Sequence, residues 1–506
     1  MTTLYTWGLG KEGQLGNGKM ESEPLPYRIL KVVCDGKVVK APTNISAISA
    51  GQLNSAFVTG SIITNQVNDS RFADDGRVFT CGSNRYGRSG RTATEDRSLL
   101  FTQVEFFNNP IRITSISCGT THTATLSSDG HVYTWGSSNK DRAPELGHGI
   151  EAKSCGEPKR MSGQLLMERA KRVTCGSHLT AVITEEEKLY VAGKFMDLPS
   201  NFLPNLVGAP GGAAVSAVAC GIHYMLMVAG DIVYCWGHSS ALGLGSRKRA
   251  DRWTEIPELT QKDVVDISCS TSEHHPHSAA VTRDGQLYMW GEGYKGKLGT
   301  GDETDRFIPV QLEPLTKSVS CGGIHSASLS IDGAVMTWGC GSDGRLGHPR
   351  YLEGKYRYLY RELSPLAMKN LEKIRGVDVQ KWRFRSPRHC HSLVRDKEPF
   401  QTTSLSTENM QANLFFCLFV IFSFALSANV ATLHGPKSYD VSCKMRMGRD
   451  CFLPCRAKYA IGNITVSDEN VEWRKLNERN AKCDLKSTAP KVAGGCTATC
   501  FKQESS

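Results

Sequence analysis

Short apolar runs separated by glycine-rich turns occupy most of the chain. In the clearest stretch, residues 284–312, an apolar run at 286–290 ends in Trp290 and is followed by a glycine-rich turn at 291–301. Glycine favours such turns because it adopts positive φ without steric cost. An alternating run at 307–312 and two apolar runs flanking a Cys-Gly-Gly turn at 319–329 follow. The pattern predicts four strands in about 50 residues, the size of one propeller blade.

The same unit recurs along the chain. Its second half returns at 51–58, 118–126, 175–183, 220–228, 269–281 and 321–329, with a degenerate copy at 389–394. In each copy the first apolar run ends at a glycine. The residue before that glycine is, in chain order, Trp7, Cys81, Trp135, Ala192, Trp236, Trp290 and Trp338. Seven copies at a period near 50 predict an all-β, seven-bladed β-propeller over residues 1–395.

The two ends of the repeat region predict how the ring closes. The chain begins directly on the strand that leads to Trp7, in the middle of a blade. We therefore expect this blade to take strands from both ends of the region, with the C-terminal partner from about 377–394. Such closure removes open sheet edges.

The repeat resembles a known family. A Trp-Gly-x-Gly-x-x-Gly-x-Leu-Gly-x-Gly turn with a later Cys-Gly-x-x-His step is similar to the regulator of chromosome condensation repeat. The copies at 5–18 and 288–301 match nearly position for position. The resemblance covers residues 4–395 and implies a rigid disc that binds proteins on its faces. Fold alone does not define function.

The resemblance also implies one activity. Some members accelerate GDP release from a small GTPase of the Ran type, with a wedge that lies in the third blade of the founding member. The corresponding region here is the insertion at 138–158, which makes Asp141, Glu145 and Glu151 candidate contacts for a Ran-like or Rab-like GTPase. Nucleotide exchange of this kind needs no covalent step.

Two other classes of function stay open. One is a non-enzymatic scaffold or adaptor propeller in trafficking or a ubiquitin pathway. The other is a membrane-anchored or secreted cysteine-rich protein with the propeller fused to it.

Catalytic motifs are missing from the sequence. There is no nucleophile elbow, Walker loop or His-Glu-x-x-His pattern. His122, His178, His223 and His325 follow Cys-Gly steps but lie one repeat apart, so we expect them on different blades, hydrogen-bonded to backbone within each blade. His274, His275 and His277 form a denser group in a widened loop. We expect no bond-making chemistry on a substrate, no cofactor and no metal site.

The charge of the chain narrows the class of partner. The formal net charge is +10, and residues 410–506 contribute 13 basic and 8 acidic residues, which leaves +5 for the repeat region. This excess is too dilute to predict nucleic-acid or chromatin binding. One local run, Arg247, Lys248, Arg249 and Arg252, is a candidate contact for phosphate or an acidic protein face, or else a solvated loop.

The C-terminal part differs in composition. Residues 396–409 form a polar linker, and 410–428 contain an uncharged run at 414–428. This run suits a signal-peptide core or an anchor, although a bilayer span needs about 20 residues. Residues 429–506 contain a sequon at Asn463 and the disulfide candidates Cys443, Cys451, Cys455, Cys483, Cys496 and Cys500. These features predict a small disulfide-rich domain, lumenal or extracellular once translocated.

The propeller is expected in the cytoplasm or nucleus, because its repeat-equivalent cysteines lie on different blades and cannot pair. The cysteines of the propeller are expected to stay reduced, whereas those of the tail are expected to form disulfides. This difference predicts that residues 410–506 are a separate secretory unit, joined to the propeller by fusion or splicing.

Overall fold

The computed structural model separates the chain into two compact units, Met1–Gln401 and Thr402–Ser506. In the first unit it describes residues 2–60, 76–91, 95–107, 111–137, 142–151, 153–195, 200–271, 274–313, 315–349, 360–368, 371, 374–379 and 391–397. In the second unit it describes the strand segments 438–444, 451–454, 459–466, 471–477, 480–485 and 495–502.

The first unit is built from β-strands and one-turn 3₁₀ helices. The strands are β1 (Thr2–Gly8), β2 (Glu23–Arg28), β3 (Lys31–Cys34), β4 (Lys37–Lys40), β5 (Ile45–Ala50), β6 (Asn54–Thr59), β7 (Val78–Ser83), β8 (Arg97–Gln103), β9 (Ile113–Cys118), β10 (His122–Ser127), β11 (Val132–Gly136), β12 (Cys155–Arg160), β13 (Ala170–Cys175), β14 (Leu179–Thr184), β15 (Leu189–Gly193), β16 (Asn201–Val207), β17 (Val215–Cys220), β18 (Tyr224–Ala229), β19 (Ile232–His238), β20 (Arg249–Glu255), β21 (Val264–Cys269), β22 (His277–Thr282), β23 (Leu287–Gly291), β24 (Arg306–Leu312), β25 (Thr316–Cys321), β26 (His325–Ser330), β27 (Val335–Cys340), β28 (Arg361–Ala367), β29 (Ile374–Val379) and β30 (His391–Lys397). The 3₁₀ helices are Arg85–Gly87, Glu105–Phe107, Pro144–Leu146, Gly163–Met167, Pro210–Gly212, Pro257–Leu259, Tyr294–Gly296 and Ser342–Gly344.

These strands form sheets arranged in a ring. Six sheets have four strands, ordered β2-β1-β30-β29, β12-β11-β10-β9, β13-β14-β15-β16, β17-β18-β19-β20, β21-β22-β23-β24 and β25-β26-β27-β28. A further sheet has six, ordered β4-β3-β8-β7-β6-β5. The strands β5, β9, β13, β17, β21, β25 and β29 contact one another in this cyclic order, and β29 contacts β5. The prediction of an all-β propeller is therefore confirmed.

The predicted ring of seven blades is corrected to six regular four-stranded blades and one enlarged sheet. Six blades have four strands, whereas the six-stranded sheet is a blade, β5–β8, with the hairpin β3–β4 added at β8. The cause is the sequence Asp35-Gly36 between two Val-Val pairs, a strong hairpin signal that the repeat pattern does not contain. Blades are numbered below from the one that holds β1, so the six-stranded sheet is blade two.

The ring closes with strands from both ends of the region, as predicted. β1 pairs with β30 from Thr2↔Lys397 to Gly8↔His391, and β30 pairs with β29. The strand β30 therefore takes up the first two residues of the predicted linker.

Tryptophans fasten neighbouring blades. Trp7, Trp135, Trp290 and Trp338 are fully buried. Each indole N–H donates to a carbonyl in the glycine turn of the preceding blade, namely that of Arg345, Arg88, Ala241 and Lys297, at 3.0, 3.0, 2.8 and 2.9 Å. A Cβ at Gly90 would lie 2.9 Å from the Trp135 ring, so this turn needs glycine. Blade four lacks the glycine turn, and Trp236 in blade five is only half-buried, against Phe195 and Trp253.

The second unit contains two three-stranded sheets in its described strands. One has the order β31-β36-β33, from Ser438–Lys444, Gly495–Lys502 and Tyr459–Val466. The other has the order β32-β35-β34, from Cys451–Pro454, Asn480–Leu485 and Val471–Asn477. The predicted anchor or signal segment, 410–428, lies outside the described residues. Among the residues that are described, no helix is long and apolar enough to cross a membrane.

Candidate functional site

The glycine turns of blades two, six and seven each bury a charged side chain at the same position of the repeat. In blade two it is Arg88, whose Nη1 donates to the Thr120 carbonyl of blade three at 3.0 Å. In blade seven it is Arg345, which donates from Nε to the Ser342 carbonyl at 2.7 Å and pairs with Asp343 at 3.2 Å. Because both guanidinium groups are hydrogen-bonded inside the fold, these buried cations serve the structure and do not form a ligand site.

Lys297 occupies the same position in blade six and differs from them. Its side chain is fully buried, and its Nζ has no hydrogen-bond partner among the described residues. The Nζ lies 5.9 Å from the centre of the Tyr294 ring. Burial lowers the pKa of Lys297 to about 7, and the carboxylates of Glu292 and Asp305 offset only part of that effect. This amine is the least satisfied charged group of the glycine turns.

The recurrent histidines form bridges between blades. His122 Nε2 lies 3.0 Å from Thr180 Oγ1, and His277 Nε2 lies 2.9 Å from Ser326 Oγ, each in the next blade. The prediction that the recurrent histidine bonds within its own blade is wrong for His122. Tyr224 takes the same role in blade five, with its hydroxyl 2.9 Å from that of Ser278.

The remaining predicted histidines are less uniform. His325 is fully buried, His178 is half-buried and His223 is exposed. In the Cys-Gly-Ser-His and Cys-Gly-Ile-His copies, the histidine stands one position earlier than in blade three, so Leu179 and Tyr224 take the buried position. Spacing by a single residue thus decides which side chain enters the interface.

Blade six carries an arrangement that sequence reasoning did not foresee. Glu292 accepts a hydrogen bond from Ser240 at 2.7 Å and contacts His275 Nδ1 at 2.6 Å. The His275 ring stacks on Tyr294 at 4.4 Å. Burial alone would raise the pKa of Glu292, but the hydrogen bonds from Ser240 and His275 outweigh it and hold that pKa below its usual value. The serine faces the carboxylate and not the imidazole, so the group does not have the geometry of an activated nucleophile.

The three histidines of this loop do not converge. His274 is exposed, His275 contacts Glu292, and His277 is buried against blade seven. No group of three or more His, Cys, Asp or Glu side chains that could hold a metal ion occurs among the described residues.

The insertion in blade three places its acidic residues in different environments. Glu145 lies in the 3₁₀ helix Pro144–Leu146 and is 4% exposed, with its Oε1 accepting from Ser137 at 2.6 Å. Burial raises its pKa, and the Ser137 hydrogen bond offsets part of that rise. Glu145 is therefore not at the surface, contrary to the prediction that it is a candidate partner contact, because its carboxylate is buried and hydrogen-bonded inside the blade. Glu151 is exposed, and Asp141 lies outside the described residues.

The basic run lies at the outer edge of blade five. Arg247, Lys248, Arg249 and Arg252 are all exposed, the last two on the outer strand β20. Arg249 pairs with Asp251 at 2.6 Å. Lys248 Nζ lies 5.4 Å from the centre of the Phe307 ring. These charges remain accessible to a partner, and Trp253 is in the same strand.

The ten described cysteines of the propeller are free thiols. The backbone N–H groups of Cys118, Cys175 and Cys321 each donate to a serine hydroxyl of the preceding blade at 2.9 Å. Cys390 lies outside the described residues. In the second unit Cys443, Cys451, Cys483, Cys496, Cys500 and Asn463 lie in strands, Cys455 lies outside the described residues, and the disulfides and the glycan stay predictions.

Comparison with protein-family models finds the regulator of chromosome condensation (RCC1) repeat at residues 3–58, 75–126, 129–183 and 284–329. A second model of this repeat matches 113–141. The ultraviolet-B receptor UVR8 of Arabidopsis thaliana is 29% identical over 332 residues, which cover 63% of this chain and 68% of the receptor. The E3 ubiquitin-protein ligase HERC2 of Homo sapiens is 27% identical over 327 residues, 62% of this chain but 6% of the ligase.

Solved structures share the fold. Human WBSCR16 superimposes with a TM-score of 0.61 at 18% identity, covering 78% of this chain and 100% of that protein. Prp20p of Saccharomyces cerevisiae, whose structure was described with its binding to Gsp1p and histones, has a TM-score of 0.58 at 16% identity, covering 78% and 91%. At identities of 18% and 16%, these comparisons show a shared fold alone.

Proposed function

Because the propeller of this chain is built from regulator of chromosome condensation repeats, we propose that it is a protein-interaction module that regulates a partner without bond chemistry on a substrate. The observation that carries the proposal is the exposed basic run on blade five. Arg247, Lys248 and Arg252 have no acidic side chain paired with them among the described residues. Charged groups left unpaired on a rigid ring suit recognition of an acidic protein face.

The partner that we propose to test first is a small GTPase of the Ran or Rab type. The fold likeness to Prp20p, described as a Gsp1p-binding protein, and the repeat family support this choice. Exchange would work by displacement: contacts made more strongly with the nucleotide-free GTPase lower the barrier to GDP loss. A propeller needs only a shaped, charged surface for this effect.

The test measures release of a fluorescent GDP analogue from Ran-like and Rab-like GTPases in the presence of the full chain. We expect acceleration, and we expect the combined change Arg247→Glu, Lys248→Glu and Arg252→Glu to reduce it. The matched control is the triple reversal of Arg169, Lys171 and Arg172, which are also exposed, although Arg169 and Lys171 pair with Glu185 and Glu187. Equal loss in both triple variants would refute a specific role for blade five.

The loop in blade three requires a point variant. Deleting 138–158 would remove the buried Glu145 and the start of β12, so loss of activity would report misfolding. Glu151→Lys reverses an exposed charge without touching the core. If exchange occurs and this variant exchanges at the normal rate, the insertion does not act through that charge.

A scaffold or adaptor role is the second candidate. UVR8 and HERC2 share the repeat but are named as a receptor and a ubiquitin ligase. Because the match covers 6% of HERC2, this alternative concerns partner binding alone. Stable capture of a GTPase without accelerated GDP release would favour it.

A further inference from the structure

The hairpin β3–β4 distinguishes blade two from the other blades. Asp35 and Gly36 have φ values of +49° and +71°, as the two central residues of a type I′ turn require. β3 joins the blade by parallel pairing with β8, and β4 is then the last strand of the six-stranded sheet. The hairpin moves the edge of this blade outward by two strands.

The hairpin has one buried and one exposed face. Val32, Cys34 and Val39 are buried in the core shared with blade two. Strand alternation places Lys31, Val33, Val38 and Lys40 on the opposite face. Lys31 lies directly opposite Lys40, and Val33 lies opposite Val38, which is 60% exposed. Like charges directly opposite each other are unfavourable. This face therefore carries a repulsive pair of lysines beside an apolar pair in which Val33 is half-buried and Val38 is exposed.

The backbone of β4 presents unused hydrogen-bonding groups. The Ala41 N–H donates to the Leu30 carbonyl at 2.8 Å. Together with the register, this bond identifies which residues of β4 direct their backbone N–H and C=O groups towards β3 and which direct them away. Val39 and Lys37 therefore bond to β3, whereas the N–H and C=O groups of Val38 and Lys40 point away from it. In the described part of the chain no strand pairs with that side.

We propose that the free edge of β4 binds an extended acidic segment of a partner protein by antiparallel strand addition. The added strand would bond to the backbone of Val38 and Lys40. On the exposed face an acidic residue would lie beside Lys40 and, two positions later in the partner, an apolar residue beside Val38. Main-chain bonds supply affinity in this mode, and alternate side chains supply specificity.

The charge pattern argues against other occupants of this edge. A second copy of the chain would bring Lys40 against lysines of the same edge. Lysines on an edge strand also deter unwanted pairing, but deterrence does not require the exposed Val38 beside them. An acidic strand relieves the Lys31–Lys40 repulsion and covers Val38 in one event. This surface is separate from the basic run of blade five, so the two proposals can fail independently.

The test uses the full chain and a fluorescein-labelled peptide, Gly-Glu-Thr-Val-Thr-Glu-Thr-Val-Gly, in which each glutamate is followed two positions later by a valine on the same face. We expect saturable fluorescence polarisation, and no binding of the peptide in which lysine replaces each glutamate. Val38→Pro removes one outward N–H without breaking a bond to β3 and should weaken binding at least about tenfold, or roughly 1.4 kcal/mol. The combined change Lys31→Glu and Lys40→Glu should abolish it. Lys153→Glu, an exposed lysine of blade three, is the control.

Three results would overturn the proposal. The first is no binding up to about 1 mM peptide, an affinity limit near 4 kcal/mol. The second is binding that Val38→Pro leaves intact while the lysine reversal abolishes it, since this indicates attraction of charges without a strand. The third is equal or tighter binding of a single-stranded oligonucleotide to the same lysines. Unchanged melting temperatures of the variants establish that the fold is intact.

Discussion

The buried amine of Lys297 makes a specific prediction about stability and pH. Its pKa of about 7 in the folded protein compares with 10.5 for an ordinary lysine. At 1.36 kcal/mol per pKa unit, this difference corresponds to about 5 kcal/mol between the two protonation states. Below pH 7 the folded state carries the full cost of a buried ammonium group. Between pH 7 and 10.5 the unfolded chain binds more protons, so the free energy of unfolding rises with pH by about 1.4 kcal/mol per pH unit.

The perturbation is Lys297→Met, which keeps a long side chain and removes the charge. We expect the variant to be more stable than the natural chain at pH 6 and to lose the rise in stability above pH 7. The gap between the two proteins should therefore narrow above pH 7 and close as the pH approaches 10.5. The measurement is urea unfolding of the full chain at several pH values, with the linear dependence on denaturant compared between variants.

The control is Lys317→Met, at an exposed position of β25. This substitution should not alter the dependence on pH. The reasoning about Lys297 is refuted if the methionine variant is less stable by the same amount at every pH. That result would mean that the ammonium group is paired in the folded protein, with Glu292 or Asp305 as its partner.

Three further predictions follow from the interfaces and the tail. Trp135→Phe removes the donor to the Arg88 carbonyl and should lower the free energy of unfolding by about 1–3 kcal/mol. Trp236→Phe should lower it by less, because Trp236 is only half-buried. A larger loss for Trp236→Phe than for Trp135→Phe would contradict the account of the blade interfaces. Burial lowers the pKa of His122 to about 3, so the folded protein keeps this imidazole neutral. The free energy of unfolding should therefore fall as the pH drops from 6.5 towards 3, where the unfolded chain binds the proton and the folded chain does not. His122→Gln should make the free energy of unfolding less dependent on pH in this range. In secreting cells Asn463→Gln should remove a glycosidase-sensitive mass shift if the tail is translocated, and a shift that persists in the variant would exclude this sequon.

Residues whose role depends on local spacing were predictable from the sequence. The Trp-Gly steps placed the strands, because a bulky aromatic before a glycine turn has one favourable location, between blades. The same reasoning found the closing blade, since a chain that begins in mid-blade must complete it from its other end. The hairpin at Asp35-Gly36 carries an equally local signal, but it is an addition to one copy and the repeat period of about 50 residues does not predict it.

Residues whose role depends on neighbours distant in the chain were decided by the tertiary structure alone. Glu145 has the charge of a surface contact, yet its backbone carbonyl accepts a hydrogen bond from Thr180, 35 positions away in blade four, and its carboxylate accepts one from Ser137. His122 reaches Thr180 because the ring brings together residues 58 positions apart. Lys297 looks like any solvated lysine in a polar turn, and only the packing of the next blade removes its water. Desolvation and contact across blades depend on the closed ring, and for that reason no reading of one repeat could reveal them.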